Sequence, residues 1–222
     1  MKWNAWGDPA AAKPLSDGIR ALLKQVVGLG DSDEAELDPD QVILRPSALS
    51  QADRDALAEI VGAEYFRAAD RDRLLHAGGK STPDMLRRKD TGPQDAPDAV
   101  LLPGDDGTVA AILRYCSDHG IAVVPFGGGT NVVGGLDPDR GEFGAVISLD
   151  LRRFNELHFL DEVSGIAELG AGATGPRPNA CSVSTASRSG TSRKASYSPP
   201  SVVSRQPVPP ARAPPAMAGS TT

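Results

Sequence analysis

Three consecutive glycines close an apolar run, Val123-Val124-Pro125-Phe126-Gly127-Gly128-Gly129-Thr130-Asn131, and Gly134-Gly135 follow shortly after. A loop with so few side chains can adopt positive φ and bring its backbone N–H groups close to a ligand. Successive N–H groups lining one concavity form an anion nest, which suits a pyrophosphate. The two common phosphate loops are excluded. No lysine and Ser/Thr follow the glycines as in a Walker loop, and the spacing is not GxGxxG opening a helix. The bland alternative is a glycine-rich hairpin with no ligand.

Other chemistry-bearing residues give weaker patterns. His76, His119 and His158 lack Cys or carboxylate partners at metal-ligand spacing, so no metal site is expected. His119 stands just before a helix-ending glycine, where a cation favours the helix dipole, and reads as a local structural group. Ser81 and Ser148 have no nucleophile-elbow context. Trp3 and Trp6 read as packing anchors. Arg87, Arg88 and Lys89 read as a solvated basic face, and the residues at 53–55 and 67–73 read as solvated charge. No catalytic residue is assigned.

The elements that position the loop are legible. Ala99 to Leu102 is a short buried strand closed by Pro103-Gly104. Val109, Ile112, Leu113 and Cys116 then fall on one helical stripe, capped by Asp105 or Asp106 and ended by Gly120. Ile121 to Val124 is the next strand, so strand, helix and strand form a βαβ unit delivering the chain into the glycines. Ala145 to Leu149 is a further strand. Leu157 to Leu160 and Ile166 to Leu169 are two more, joined through a turn at Asp161-Glu162.

Pro125 to Asn131, with the preceding Val-Val-Pro and the following Ser148-Leu149-Asp150-Leu151, resembles the first FAD-binding subdomain of the vanillyl-alcohol-oxidase (PCMH-type) flavoproteins. Met1-Lys2-Trp3-Asn4-Ala5-Trp6-Gly7-Asp8 and Leu74-Leu-His-Ala-Gly-Gly-Lys-Ser81, with Asp84 after it, are similar to segments of the alkyldihydroxyacetonephosphate synthases. The resemblance covers residues 1–175. It implies FAD as cofactor, with Pro125, Phe126, Gly127, Gly128, Gly129, Thr130 and Asn131 as cofactor-binding residues. Thr130 and Asn131 stand at the loop's end, where some relatives carry a flavin-linking histidine, so non-covalent FAD is implied. The implied reaction exchanges the acyl chain of acyl-dihydroxyacetone phosphate for a fatty alcohol, forming an ether-lipid bond without net redox change. Peripheral membrane contact through lipid substrates and a homodimer of the full-length form are implied as well. An FAD-linked oxidase or dehydrogenase of a hydroxy acid is the alternative within the superfamily.

Composition sets outer bounds. The chain has 222 residues and a net charge of −6, from 23 basic and 29 acidic residues, which gives no reason to expect a nucleic-acid partner. Two cysteines, Cys116 and Cys181, make no disulfide framework. No stretch is apolar enough to span a bilayer. The N-terminus lacks a secretory pattern, because Asp8 and Pro9 follow the tryptophans. The expected location is cytoplasmic.

An α/β (α+β) fold in three zones is expected. Residues 1–92 are mostly helical, with Ile19, Leu22, Leu23 and Val26 on one stripe and Leu57, Ile60 and Val61 on another. Residues 93–175 form the first half of a PCMH-type FAD-binding domain. Residues 176–222 hold no Asp or Glu, six Lys or Arg, and much Ser, Pro and Ala, so disorder is expected. That tail also reads as an out-of-frame translation. Codons starting on the third base of each existing codon permit EAERLLGEHGF, HFPQSF, ATIGGFAATRSSGQ and GYGRFDD, strings that the synthase family places after its GAGxTGP segment, here Gly170 to Pro176. Met217-Ala218 forces a glycine. Ser196-Tyr197 disagrees, allowing only Leu, Ile or Val where the family has an acidic residue. The expectation is a truncated, inactive fragment with FAD binding weak or absent. A reading from another class is a non-enzymatic remnant or interaction protein whose basic tail is the functional part.

Overall fold

The computed structural model describes residues 3–4, 13–28, 37–161, 163–164 and 166–173. Six strands and five α-helices are described: α1 (Asp17–Val27), α2 (Gln51–Val61), β1 (Phe66–Arg67), α3 (Asp70–Leu75), α4 (Thr82–Arg87), β2 (Ala99–Leu101), α5 (Asp106–Asp118), β3 (Ile121–Phe126), β4 (Ala145–Asp150), β5 (Leu157–Asp161) and β6 (Ile166–Leu169). One sheet runs in the order β1-β2-β4-β3, and β5 and β6 form a separate antiparallel hairpin. β2, β4 and β3 are parallel, with Leu101 opposite Leu149 and Phe126 opposite Asp150. Their carboxyl ends therefore share one edge of the sheet, and the glycine loop leaves from that edge. The expected strand–helix–strand unit is β2-α5-β3, with β4 inserted between its two strands.

Side-chain alternation explains why β4 is central. Ala145, Ile147 and Leu149 join Leu57 and Val61 of α2 and Ile112 and Cys116 of α5 in the core. Val146, Ser148 and Asp150 point to the opposite face, and every residue of β4 is buried. A strand covered on both faces is what a parallel interior position requires. Among the described residues, the Ser148 hydroxyl has no hydrogen-bond partner. At the other end of the sheet, the buried Asp98 carboxylate accepts from Ala48 N–H at 2.7 Å, Val146 N–H at 2.8 Å and Arg140 at 2.9 Å. It ties the segment before α2 to the start of β4.

Capping follows the sequence signals. Ser16, Ser50, Ser81 and Asp105 each accept a backbone N–H at the start of α1, α2, α4 and α5. Ser81 and Asp84 form a reciprocal capping box, which gives that serine a structural role. Gly120, φ 63°, follows His119, whose ring stacks on Tyr115 with centroids 3.9 Å apart.

Several expectations need correction. Leu113, placed on the buried stripe of α5, is exposed, because the core-facing side runs through Ile112 and Cys116. The stripe of α1 forms on a helix, but no residue of that helix is buried among the described residues. Arg88 and Arg73, read as solvated charge, are buried. Arg73 is held by Pro97 O at 2.8 Å, Arg45 O at 2.7 Å and Asp70 at 2.9 Å. The mostly helical region also supplies β1, which pairs antiparallel with β2. Trp6, Cys181 and the whole 176–222 tail lie outside the described residues. Among the described residues, no helix is long and apolar enough to cross a membrane.

Candidate functional site

The glycine loop starts where β3 stops. Leu151 N–H donates to Phe126 O at 2.9 Å, which sets the residues after β4 beside the first glycine. Gly129 is buried and takes φ 66°, and a Cβ there would stand 2.8 Å from Phe126 Cζ. Only glycine combines that conformation with that contact at low cost. At the loop's far end Asn131 O accepts from Lys80 N–H at 2.6 Å. The Asn131 side-chain oxygen accepts from Val133 and Gly135 N–H, both at 2.9 Å. Gly79 packs so tightly that a Cβ would overlap the Asn131 carbonyl oxygen.

Among the described residues, the backbone N–H groups of Gly127, Gly128, Gly129 and Thr130 donate to no acceptor. These residues are buried or half-buried, where unpaired donors are costly. Four successive donors without acceptors, at the carboxyl edge of a parallel sheet, fit an anion such as a diphosphate. The seven residues expected from the sequence thus divide. Gly127 to Thr130 offer donors, Phe126 is buried beneath the loop, Asn131 fastens its end, and Pro125 is exposed on β3.

Behind the loop lies a polar cluster that sequence reasoning missed. The buried His76 ring sits 4.3 Å, centroid to centroid, from the Phe126 ring. Its Nδ1 is 2.7 Å from Asp72 O and its Nε2 is 2.8 Å from Asp150 Oδ2. Both ring nitrogens thus lie within hydrogen-bond distance of an oxygen fixed by the scaffold. Asp150, fully buried, also accepts from Arg152 Nε at 2.7 Å and Arg152 N–H at 2.9 Å. Burial pushes the Asp150 carboxyl upward, but the bonds from His76 and Arg152 prevail and hold it below the usual range.

A second cluster holds the N-terminal segment. Trp3 O accepts from Lys80 Nζ at 3.2 Å and from Arg88 Nη1. Burial, reinforced by the Arg88 charge and opposed by Asp84, brings the Lys80 amine down to about 8. Arg87, read as solvated, pairs with Asp84 and, at 3.1 Å, with Asp137. Among the described residues, no group of three His, Cys, Asp or Glu side chains could hold a metal.

Comparison with known proteins gives this arrangement its class. Residues 97–181 match the FAD binding domain family. A solved alkyldihydroxyacetonephosphate synthase shares the fold, with a TM-score of 0.70 at 24% identity, over 83% of this chain and 38% of that one. Residues 97–181 thus carry an FAD-binding domain, and FAD is its cofactor. Among particular relatives, Protein Rv2250A of Mycobacterium tuberculosis is 85% identical over 104 residues, covering 47% of this chain and 70% of that protein. The alkyldihydroxyacetonephosphate synthase of Trypanosoma brucei brucei is 30% identical over 198 residues, 79% of this chain. The glycolate oxidase subunit GlcD of Bacillus subtilis is 30% identical over 109 residues, covering 49% of this chain and 20% of that protein. The chain spans about a third, 32%, of the trypanosomal synthase's length.

Proposed function

We propose that this chain carries the diphosphate-holding half of the FAD site of an alkyldihydroxyacetonephosphate synthase-like enzyme, which exchanges the acyl chain of acyl-dihydroxyacetone phosphate for a fatty alcohol. The observation that carries the reading is the run of N–H donors at Gly127 to Thr130, which among the described residues meet no acceptor. Similarity to a synthase over 79% of the chain, against 49% for the oxidase subunit, favours the alkyl transferase over the hydroxy-acid oxidase.

In this reading Gly127, Gly128, Gly129 and Thr130 donate to the diphosphate, Phe126 supports the loop, and Pro125 and Asn131 fix its two ends. FAD supplies the flavin on which the exchange depends, and the protein residues named here bind and orient it. The loop ends on Thr130-Asn131, so the cofactor is held without a covalent bond. We propose further that the chain as given binds FAD weakly and turns nothing over. We also propose residues 1–92, 93–175 and 176–222 as its organisation, cytoplasmic residence, and an out-of-frame origin for the last segment.

Deep resequencing across the codons for Gly175 to Pro178, followed by assay of the frame-restored protein, tests the reading. With acyl-dihydroxyacetone phosphate and a labelled fatty alcohol, the label is expected in an ether product, without hydrogen peroxide or acceptor reduction. Peroxide formed from a hydroxy acid, with no ether product, would establish the oxidase instead. A sequence confirmed as it stands would exclude a sequencing error and make this chain a truncated product, whose likeness to the synthases describes ancestry rather than activity.

A further inference from the structure

His76 is a buried titratable group outside the loop that reaches it through Phe126. The imidazole is fixed at both nitrogens, by Asp72 O on α3 at 2.7 Å and by Asp150 at the end of β4 at 2.8 Å. Neither anchor belongs to the loop. The ring plane is therefore set by the scaffold, and its face meets Phe126 at 4.3 Å between centroids, tilted by 53°. Phe126 in turn fills the space beside Gly129, so closely that a Cβ there would stand 2.8 Å from its ring. Arg152 Nη2, 3.4 Å from His76 Nε2, closes the cluster on the solvent side.

We propose that His76 is a positioning residue for the FAD diphosphate: its doubly anchored ring braces Phe126, and Phe126 holds Gly129 in the left-handed conformation that shapes the donor run. A bond-free apolar side chain in place of His76 would fill volume without fixing a ring plane. The bidentate anchoring serves orientation, as supporting residues do around other precisely shaped sites. The proposal rests on the reading of the glycine loop as the FAD diphosphate site.

The test uses the full chain labelled with ¹⁵N, without ligand and then titrated with ADP, which carries the diphosphate of FAD. In His76→Gln, which keeps a donor toward Asp150 but loses the ring, the amide resonances of Gly127, Gly128 and Gly129 are expected to shift or broaden. Those of Gly62 and Gly120, remote from Phe126, stay in place. ADP is expected to bind about tenfold more weakly than to the unaltered chain. Loop resonances that stay unmoved, or that move no more than those of Gly62 and Gly120, would overturn the proposal. Should His76→Gln fail to fold, Phe126→Leu removes the transmitting ring and is read in the same way. If ADP perturbs no loop resonance in the unaltered chain, the diphosphate reading fails, and the ligand-free comparison still decides whether His76 positions the loop.

Discussion

Replacing Gly79 with alanine is expected to destabilise the chain and to detach the far end of the glycine loop. The new methyl would overlap the Asn131 carbonyl oxygen, a backbone atom that cannot rotate away. That carbonyl also accepts the Lys80 N–H at 2.6 Å, so relieving the overlap breaks the bond pinning the loop to the segment before α4. Overpacking of this kind costs about 1–3 kcal/mol, and a lost buried hydrogen bond adds about 1 kcal/mol. Urea denaturation of Gly79→Ala beside Gly18→Ala checks this. Gly18 lies in exposed α1, where an added methyl would meet nothing within 4 Å, so alanine there is expected to stabilise by about 0.5–1 kcal/mol. Equal midpoints for the two variants would show that Gly79 is not sterically required.

Asp150→Ala is expected to have the larger effect. The carboxylate is fully buried and accepts from His76 and twice from Arg152. Its removal strands a buried histidine donor, whereas the half-exposed Arg152 can turn to water. Hydrogen bonds to a charged group contribute about 1.5–3 kcal/mol each, and all three are lost together. The acid limb gives a second readout. Asp150 titrates below its ordinary range, so its contribution is complete above the unfolded carboxyl value of about 4 and is lost as pH falls through the depressed native value. Asp84 behaves in the same sense: burial opposes the shift, and bonds from Ser81 and Arg87 outweigh it. Stability measured by denaturant titration from neutral pH downward is expected to fall less steeply below about pH 4 in Asp150→Ala than in the unaltered chain. Identical slopes would contradict the role assigned to Asp150.

The strands around the site were readable because each is short, apolar and bounded by Pro, Gly or Asp. The glycine run was readable because a strand opening into consecutive glycines is a strong local signal, and at Gly129 the positive φ against Phe126 does require glycine. The cluster beneath it was hidden. His76 and Asp150 lie 74 positions apart and meet only because β4 is inserted beside β3 with Phe126 opposite Asp150. Histidine in a sequence carries no sign of which strand end it will reach. Arg73 and Arg88 misled for a related reason, since their partners are backbone carbonyls of Pro97, Arg45 and Trp3, which leave no mark in a charge pattern. β1 spans two residues, too few for any alternation to register, yet it brings the N-terminal region into the same sheet as β2. In α1 the periodicity correctly signalled a helix, but burial depends on a neighbour, and no described element covers that stripe.

The most direct measurement is a fluorescence titration of the purified full chain with FAD, run in parallel on Gly129→Val. Valine is β-branched, must adopt φ near 66°, and brings a side chain against Phe126. The expected result is weak, saturable binding by the unaltered chain, displaced by ADP and lost in Gly129→Val. FAD binding of equal strength in the two proteins would contradict the assignment of the diphosphate to the glycine loop.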